Sequence, residues 1–257
     1  MPAAFLDTPV PFGLAHRGGT DVAPGNTIAA FDHAVALGFS YIETDVQRTA
    51  DGVLVIFHDE DMEATTGVPG PVWEKTWAEL ARVRVGGTHP IPRFDEVVSR
   101  YPSTRFNIEP KHDEAVDPLV AEIQARSLLD RVCVGSFSDR RVRRARRALG
   151  AGLATSPGPI GVAVIWLAAY LWPWYHSRHA AVQIPRKLWI LPLTTRFLVG
   201  RYHRMGLQVH VWTINTAAEM VELYDRGVDA VMSDATEVLR QVLTDRGAWR
   251  PAENHPE

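Results

Sequence analysis

The amino-acid sequence predicts an α/β protein of the TIM (β/α)8 barrel type, and two observations lead to this prediction. Short apolar and β-branched runs alternate along the chain with segments of helical periodicity, many of which end in glycine, the usual signal of a helix C-terminus. Repeated strand–helix units build a parallel sheet through right-handed crossovers, and eight of them close into a barrel. A length of 257 residues suits one barrel domain over residues 1–257, with a polar tail from about residue 250.

The individual strands are predicted from apolar runs, which follow one another as GLAHRG, YIETDV, VLVIFHD, FNIEPK, VCVGSF, LATS, AVQIP, QVHVWTI and AVMSD. We interpret VLVIFHD as a hairpin extension of the second strand, because the turn Ala50-Asp51-Gly52 joins the two runs, and eight barrel strands remain. Helices are predicted over NTIAAFDHAVALG, DEAVDPLVAEIQAR, SDRRVRRARRALG, LTTRFLVGRYHRMG and TAAEMVELYDRG. An open doubly wound sheet is the alternative, but its GxGxxG turn is absent from AHRGGTDVAPGN.

The composition is that of an ordinary globular protein and narrows the classes of function. Apolar residues make up 46% of the chain and charged residues 22%, and a net charge of −3 does not indicate a nucleic-acid-binding protein. Cys133 is the single cysteine, so no internal disulfide can form, and its apolar neighbours predict a small buried side chain. The N-terminal stretch MPAAFLDTPVPFG lacks the basic and long apolar segments of a secretory signal, so we expect a cytoplasmic protein.

Two segments have unusual compositions. Residues 161–176, GVAVIWLAAYLWPWYH, are almost uncharged, but the apolar run is shorter than the roughly 20 residues that span a bilayer. We interpret it as a helix packed against the barrel; the alternative is a peripheral membrane contact, with Trp166, Trp172, Trp174 and Tyr175 at the level of the lipid headgroups. The arginine-rich SDRRVRRARRALG is interpreted as a solvated outer helix, with attraction to acidic lipids as the alternative.

Polar side chains end several of the predicted strands. Residues two apart in a strand share a face, so Glu43 and Asp45 point the same way, and so do Glu109 and Lys111. Catalytic groups of α/β barrels lie at the C-terminal strand ends, where each of these pairs is placed. The side chains that we expect to meet at this rim are His16, Arg17, Glu43, Asp45, His58, Glu109 and Lys111.

This set of side chains indicates phosphoryl chemistry. Three buried carboxylates repel one another unless a cation lies between them, and oxygen ligands favour Ca²⁺ or Mg²⁺ over zinc, which prefers nitrogen and sulfur. Arg17 and Lys111 beside such an ion suit an anionic substrate, most naturally a phosphate. Two histidines supply a general base and a general acid near neutral pH. Together they describe metal-assisted phosphoryl transfer to water.

Several motifs resemble those of the glycerophosphodiester phosphodiesterase family. The matching pieces are AHRGG and APGNTIAAF within residues 15–31, ETDVQRTADGVLVIFHD at 43–59, NIEPK at 107–111, SF at 136–137, VWTIN at 211–215 and GVDAVMSD at 227–234. They span most of the chain in order, and the match is weakest between about 157 and 205. The resemblance implies a TIM barrel of the PLC-like phosphodiesterase type. It also implies the hydrolysis of small glycerophosphodiesters to sn-glycerol 3-phosphate and an alcohol, dependent on a divalent cation.

The same resemblance implies roles for single residues. His16 and His58 correspond to the acid/base pair. The other roles fall into three groups, which are metal ligands (Glu43, Asp45, Glu109), phosphate contacts (Arg17, Lys111) and the wall around the glycerol or the leaving group (Phe137, Trp212). Outside this set, we predict that His210 is a hydrogen-bonded core residue and that Gln183 reaches the rim from the sixth strand.

One position departs from the family pattern, and two alternative functions stay open. The family usually has Glu where this chain has Gly25, in APGNT rather than APENT. A catalytically weakened phosphodiester-binding protein is therefore one alternative, although Asp21 lies in the same loop. The other alternative is a lysophospholipase D that acts on lysophospholipids at a membrane surface, which residues 161–176 favour.

Overall fold

The computed structural model describes residues 4–252, and its strands form a barrel. The strands are β1 (Phe12–His16), β2 (Tyr41–Arg48), β3 (Leu54–Ile56), β4 (Arg84–Val85), β5 (His89–Pro90), β6 (Arg105–Pro110), β7 (Val132–Val134), β8 (Ala154–Thr155), β9 (Ala181–Pro185), β10 (Lys187–Leu188), β11 (Leu191–Pro192), β12 (Gln208–Trp212) and β13 (Ala230–Ser233). Eight of them run parallel in the spatial order β8-β7-β6-β2-β1-β13-β12-β9. The amide of Ala180 donates to the carbonyl oxygen of Thr155 (2.9 Å) across the remaining gap between β8 and β9. The predicted eight-stranded barrel is confirmed.

Helices connect the barrel strands. They are α1 (Ile28–Leu37), α2 (Glu63–Thr66), α3 (Trp77–Leu80), α4 (Phe94–Arg100), α5 (Val116–Ala125), α6 (Asp139–Leu149), α7 (Pro159–Leu171), α8 (Arg196–Arg204), α9 (Ala217–Asp225) and α10 (Thr236–Asp245). The five helices expected from the sequence are present, with the expected glycine ending α1 at Gly38. Helix α10 was not among the predicted helices, although Leu239, Val242 and Leu243 recur at helical spacing and are buried. The predicted polar tail lies, from residue 253, outside the described residues.

The expected hairpin after β2 is present and begins an insertion into the barrel. Strand β3 pairs antiparallel with β2, with Val46 opposite Ile56. The chain from β3 to α4 packs its own small apolar cluster, whose buried members are Val55, Phe57, Met62, Val72, Leu80, Val85 and Ile91. The short helices α2 and α3 have four residues each, too few for their periodicity to be read from the sequence. This insertion holds the chain on both sides of His58.

Helix α7 packs against the barrel on one side, as the sequence indicated. Ile165, Ala168 and Ala169 are buried, whereas Val164 and Leu167 are exposed. The helix ends at Leu171, immediately before Trp172-Pro173, because proline cannot continue it. Within residues 4–252, no helix has the length and apolarity needed to span a bilayer.

Two core residues lie where the sequence placed them. Cys133 is fully buried among apolar side chains, and burial raises the pKa of its thiol. His210 is also fully buried: Gln183 Nε2 lies 3.3 Å from its Nδ1, and its Nε2 lies 3.1 Å from Gln208 Oε1. This pairing fits a neutral imidazole that carries its proton on Nε2. Burial lowers the pKa of His210 to about 4.

This buried histidine should make the protein less stable in acid. The unfolded chain takes up a proton at His210 below about pH 6.5, whereas the folded chain does so only near pH 4, so stability falls as the pH falls through this interval. The expected loss is about 1–3 kcal/mol at pH 4 relative to pH 7. Urea unfolding of the parent and of His210→Gln across this range measures it. The variant should show a flatter profile, and two parallel profiles would contradict the assignment.

Candidate active site

A cavity of about 510 Å³ opens at the C-terminal ends of the barrel strands. Its lining contains eight of the nine side chains singled out from the sequence, namely His16, Arg17, Glu43, Asp45, His58, Glu109, Phe137 and Trp212. The strand register explains why they meet. His16 of β1 lies opposite Glu43 of β2, and Asp45 of β2 lies opposite Glu109 of β6, so three neighbouring strands present their polar groups at adjacent levels.

The ninth residue, Lys111, does not line the cavity but holds two of its carboxylates. Its Nζ lies 3.5 Å from Asp45 Oδ1 and 3.3 Å from Glu109 Oε2. Arg17 adds a second cation, since its Nε lies 3.2 Å from Asp45 Oδ2 and its backbone amide donates to Glu43 Oε2 (3.3 Å). The two cations therefore neutralise part of the carboxylate charge that the sequence brings to this rim.

The surroundings of Glu43 disfavour its ionised form and raise its pKa. Burial and then the neighbouring Asp45 raise its pKa to about 7, with a smaller contribution from Glu109, while His16 and Arg17 act in the opposite direction. Carboxylates crowded in this way form an all-oxygen donor set that suits a hard divalent cation. Among residues 4–252, no three histidine, cysteine, aspartate or glutamate side chains already stand at metal-binding spacing. The oxygen ligands therefore suit a divalent cation in their chemistry, although their spacing does not. The ammonium group of Lys111 lies between the carboxylates of Asp45 and Glu109.

His16 is oriented by a carboxylate that the sequence did not single out. Its Nδ1 donates to Asp234 Oδ1 at 2.6 Å, and its Nε2 faces Glu43 Oε2 at 3.6 Å. Burial lowers the pKa of His16, but Glu43 and Asp234 raise it more, so that the pKa lies above its ordinary value. Asn215 Nδ2 donates to the second oxygen of Asp234 (3.0 Å), which fixes the carboxylate in turn.

His58 has a similar arrangement on the other side of the cavity. Its Nδ1 lies 2.8 Å from Asp59 Oδ1, so its Nε2 is left to face a ligand. The buried Gln47 side chain donates to the carbonyl oxygens of Phe57 (3.2 Å) and Asp59 (2.8 Å), and thereby fixes the backbone on both sides of His58. Asp59 and Gln47 lie within the matched motif, but only the folded chain shows what they contact.

The loop that contains Gly25 contributes one residue that the sequence analysis missed. Asn26 Nδ2 donates to Asp45 Oδ2 (2.9 Å), and its Oδ1 accepts from Thr44 Oγ1 (2.8 Å). A Cβ added at Gly25 would lie 2.9 Å from Arg17 Cβ, so a side chain there would displace Arg17 or the loop. Asp21 does not replace the missing carboxylate, because its Oδ2 accepts from the backbone amide of Thr236 (2.8 Å) and caps α10.

One side of the cavity is apolar. It is lined by Pro157 and Pro159, by Val162 and Trp166 of α7, and by Leu188 and Leu191 of the β10–β11 hairpin. The membrane-contact alternative placed Trp166 with the other tryptophans at the lipid headgroups, whereas the structure places it in the lining of the cavity. Gln183 reaches the rim, as expected, and its Nε2 donates to Asn107 Oδ1 (2.8 Å).

The fold and the charged groups at its rim are those of an α/β-barrel phosphoric diester hydrolase. The chain belongs to the glycerophosphoryl diester phosphodiesterase family, whose sequence profile matches residues 16–156 and 160–238. Enzymes of this family generally depend on a divalent cation. The resemblance seen in the sequence motifs is confirmed.

Individual relatives agree with this membership. The chain is 38% identical over 244 residues to "Probable glycerophosphodiester phosphodiesterase 2" of Mycobacterium tuberculosis, covering 92% of each chain. It is 25% identical to "Lysophospholipase D GDPD1" of Rattus norvegicus, covering 91% of this chain and 87% of the relative. Among solved structures, a phosphodiesterase of Oleispira antarctica in complex with the product sn-glycerol-3-phosphate superposes with a TM-score of 0.75, at 25% identity, over 91% of this chain and 97% of that one.

Proposed function

We propose that the protein hydrolyses glycerophosphodiesters to sn-glycerol 3-phosphate and an alcohol, with His16 and His58 as the acid/base pair. The observation that supports this most directly is that both imidazoles line one cavity with Arg17 and the three carboxylates. The complex of the Oleispira antarctica relative with sn-glycerol-3-phosphate supports the same substrate class.

Proton transfer is the task of the two histidines. In each of them Nδ1 is held by an aspartate, so Nε2 is the nitrogen that exchanges a proton with the substrate. One imidazole takes a proton from the attacking water as the new P–O bond forms, and the other gives a proton to the alcohol as its P–O bond breaks. Imidazole side chains suit this exchange, because an imidazole can both accept and give a proton.

Charge on the phosphate is met by Arg17 and by a divalent cation. Glu43, Asp45 and Glu109 would hold the cation, either Ca²⁺ or Mg²⁺, and it would neutralise charge on the phosphoryl oxygens. Arg17 lies in the same cavity and offers guanidinium N–H groups to the phosphate. The ammonium group of Lys111 contacts Asp45 and Glu109, and it would fix the orientation of these two carboxylates.

Two aromatic rings would contact the apolar parts of the substrate. Phe137 and Trp212 pack edge to face with their ring centroids 5.6 Å apart, and both line the cavity. The backbone amide of Phe137 also donates to Glu109 Oε1 (3.3 Å), so this wall is joined to the carboxylate cluster. The glycerol carbons or the leaving alcohol would pack against these rings.

A panel of substrates with and without a chelator tests the proposal. Glycerophosphocholine and glycerophosphoethanolamine should release sn-glycerol 3-phosphate, the release should stop with chelator, and added Ca²⁺ or Mg²⁺ should restore it. The absence of release from every member of the panel, with either ion present, would favour the weakened phosphodiester-binding protein. That alternative is supported by Gly25, because no other carboxylate of its loop contacts Arg17 among the described residues.

A lysophospholipase D activity is the second candidate, and the apolar side of the cavity favours it. Leu188, Leu191, Val162 and Trp166 give this cavity an apolar lining in addition to its charged groups. A lysophospholipid has an acyl chain that would cover this surface. Comparing kcat/KM for glycerophosphocholine and for lysophosphatidylcholine decides between the two substrates.

Asp234 should act as a positioning residue for His16. In Asp234→Asn the amide no longer offers two acceptor oxygens to His16 Nδ1 and Asn215 Nδ2, so the imidazole loses its tautomer and its orientation. We expect kcat to fall by about 10²-fold or more. The pH–rate limb due to His16 should also move to lower pH, because Asp234 raises the pKa of His16. A lower rate with an unmoved limb would show a purely structural role, and Asp234→Glu tests rescue.

A further inference from the structure

The exposed large apolar side chains of the protein are concentrated in one part of the sequence. Those between residues 160 and 197 are Ile160, Val164, Leu167, Tyr170, Leu171, Trp172, Trp174, Leu188, Trp189, Ile190, Leu191 and Phe197. We call them the apolar surface. Trp189 and Ile190, at the tip of the β10–β11 hairpin, are 90% and 92% exposed. Contiguous apolar patches are rare on soluble monomers and mark sites of interaction.

Helix α7 and the β10–β11 hairpin carry most of the apolar surface, and both also line the active-site cavity. Helix α7 contacts the start of α8 through Tyr170 and Phe197, whose ring centroids are 5.5 Å apart. The hairpin lines the cavity with Leu188 and Leu191, and α7 lines it with Val162, Ala163 and Trp166. The hairpin and α7 therefore each present apolar side chains to the cavity and further apolar side chains to the solvent.

The same part of the chain has no acidic side chain. No aspartate or glutamate occurs between Asp139 and Glu219, whereas this stretch contains Arg140, Arg141, Arg143, Arg144, Arg146, Arg147, Arg178, Arg186, Lys187, Arg196, Arg201 and Arg204. Some of these cations are paired, such as Arg141 with Asp113 and Arg186 with Glu219. Lys187 at the base of the hairpin, Arg196 at the start of α8 and Arg178 after Trp174 are exposed. An apolar surface bordered by cations complements an anionic lipid surface.

We propose that the apolar surface docks on an anionic lipid bilayer, with Trp189 and Ile190 entering the boundary between headgroups and acyl chains. Docked in this way, the apolar side of the cavity opens towards the bilayer, from which the acyl chain of a lysophospholipid enters. A bilayer suits this surface because its acyl layer accommodates exposed apolar side chains and its anionic headgroups complement the exposed Lys187, Arg196 and Arg178. The choice of substrate, although not the docking itself, rests on the proposed function.

Flotation with lipid vesicles tests the docking without any need for turnover. The probes are vesicles of phosphatidylcholine alone and of phosphatidylcholine with phosphatidylglycerol, at low and high salt. The parent protein should float with the anionic vesicles, less at high salt and less with the neutral vesicles. The double variant Trp189→Ser/Ile190→Ser should lose binding by about 10-fold or more. Trp73→Ser is the matched control, since Trp73 is exposed in the insertion after β3 and should not affect binding.

The activity measurement separates failure of the docking from failure of the proposed function. The double variant should cleave soluble glycerophosphocholine as the parent does and lose rate only on lysophosphatidylcholine held in vesicles. The docking would be overturned by an absence of flotation at low salt, or by equal flotation of the parent and the double variant. It would also be overturned if sedimentation showed a dimer that the double variant dissociates, because a second copy would then cover the surface. Flotation without cleavage of any diester would leave the docking in place and contradict the proposed function.

Discussion

Replacing His58 by alanine should lower kcat for glycerophosphocholine by about 10²–10⁴-fold, the usual scale for the loss of a general acid or base. The loss should be chemical and not structural. The His58 side chain is 36% exposed, and its Nδ1 contact is to the partly exposed side chain of Asp59. Its backbone is held by Gln47 whatever side chain follows Phe57. The unfolding midpoint of His58→Ala should therefore stay close to that of the parent.

Two further variants show whether the effect belongs to this imidazole. Asp59→Asn keeps His58 but removes the carboxylate 2.8 Å from its Nδ1, so the imidazole is held less firmly and we expect a smaller loss of rate. His176→Ala removes an exposed histidine that does not line the cavity, and its rate should equal that of the parent. His16→Ala should show a loss on the same scale as His58→Ala. A rate for His58→Ala within a few-fold of the parent would exclude His58 from proton transfer.

The convergence of the site could be predicted from the sequence because it depends on strand periodicity. Residues two apart in a strand share a face, and parallel barrel strands end at one rim, so Glu43, Asp45 and Glu109 had to meet if the strands were assigned correctly. The strand register agrees with this prediction of position, because Asp45 of β2 lies opposite Glu109 of β6. The chemistry assigned to these residues is a further step, which the mutants described here test.

The residues that support the site could not be predicted in the same way. Asp234 follows the last barrel strand and obeys the strand-end rule, but its contact with His16 joins residues 218 apart in the chain. Asn26 contacts Asp45 because the loop after β1 folds back over β2. Lys111 was expected at a phosphate, and its contacts with the carboxylates of Asp45 and Glu109 were not foreseen. Each of these contacts depends on which loop lies beside which strand end, and no local pattern encodes that.

The hairpin β10–β11 was also missed, for a different physical reason. Its sequence, KLWILP over residues 187–192, is a short apolar run of the kind that predicts a buried strand. Its side chains are instead exposed, because the run pairs only with itself and extends from the barrel beyond β9. Trp166 differs in the opposite sense, since it lines the cavity although Val164 and Leu167 on the same helix are exposed. Hydrophobicity singled out α7 but not the hairpin, and in neither segment could it show which side chains face water.

Glu43→Gln should abolish the response to a divalent cation and, at the same time, stabilise the cation-free protein. The substitution keeps the shape of the side chain and removes its charge. We expect kcat/KM to fall by at least about 10²-fold, the scale of one lost electrostatic contact in a transition state. The parent should gain thermal stability when Ca²⁺ or Mg²⁺ is added, because an ion that binds only the folded state stabilises it, and the variant should gain none.

The gain in stability follows from the crowding of the carboxylates, and its dependence on pH has a definite sign. The pKa of Glu43 is about 7 in the folded chain and near 4.5 in the unfolded chain, so the folded chain holds this proton more tightly. The stability of the folded chain therefore falls as the pH rises from 4.5 to 7 and Glu43 becomes ionised. In chelator, the variant should therefore match the parent near pH 5 and exceed it by about 1–3 kcal/mol at pH 8. Thermal unfolding at the two pH values measures this difference, which corresponds to about 2–4 °C per kcal/mol for a domain of this size.

Asp45→Asn is the matched comparison, because it removes a carboxylate two residues away whose contacts differ. Asp45 accepts from Asn26 (2.9 Å) and faces both Arg17 (3.2 Å) and Lys111 (3.5 Å). Its loss takes away the anion that Arg17 faces and leaves Lys111 with Glu109 alone, so it should destabilise the fold. Both variants should lose the cation response, yet their unfolding midpoints in chelator should move in opposite directions. If Glu43→Gln kept its cation response, or were less stable than the parent at pH 8, Glu43 would not be part of a crowded carboxylate site that a cation completes.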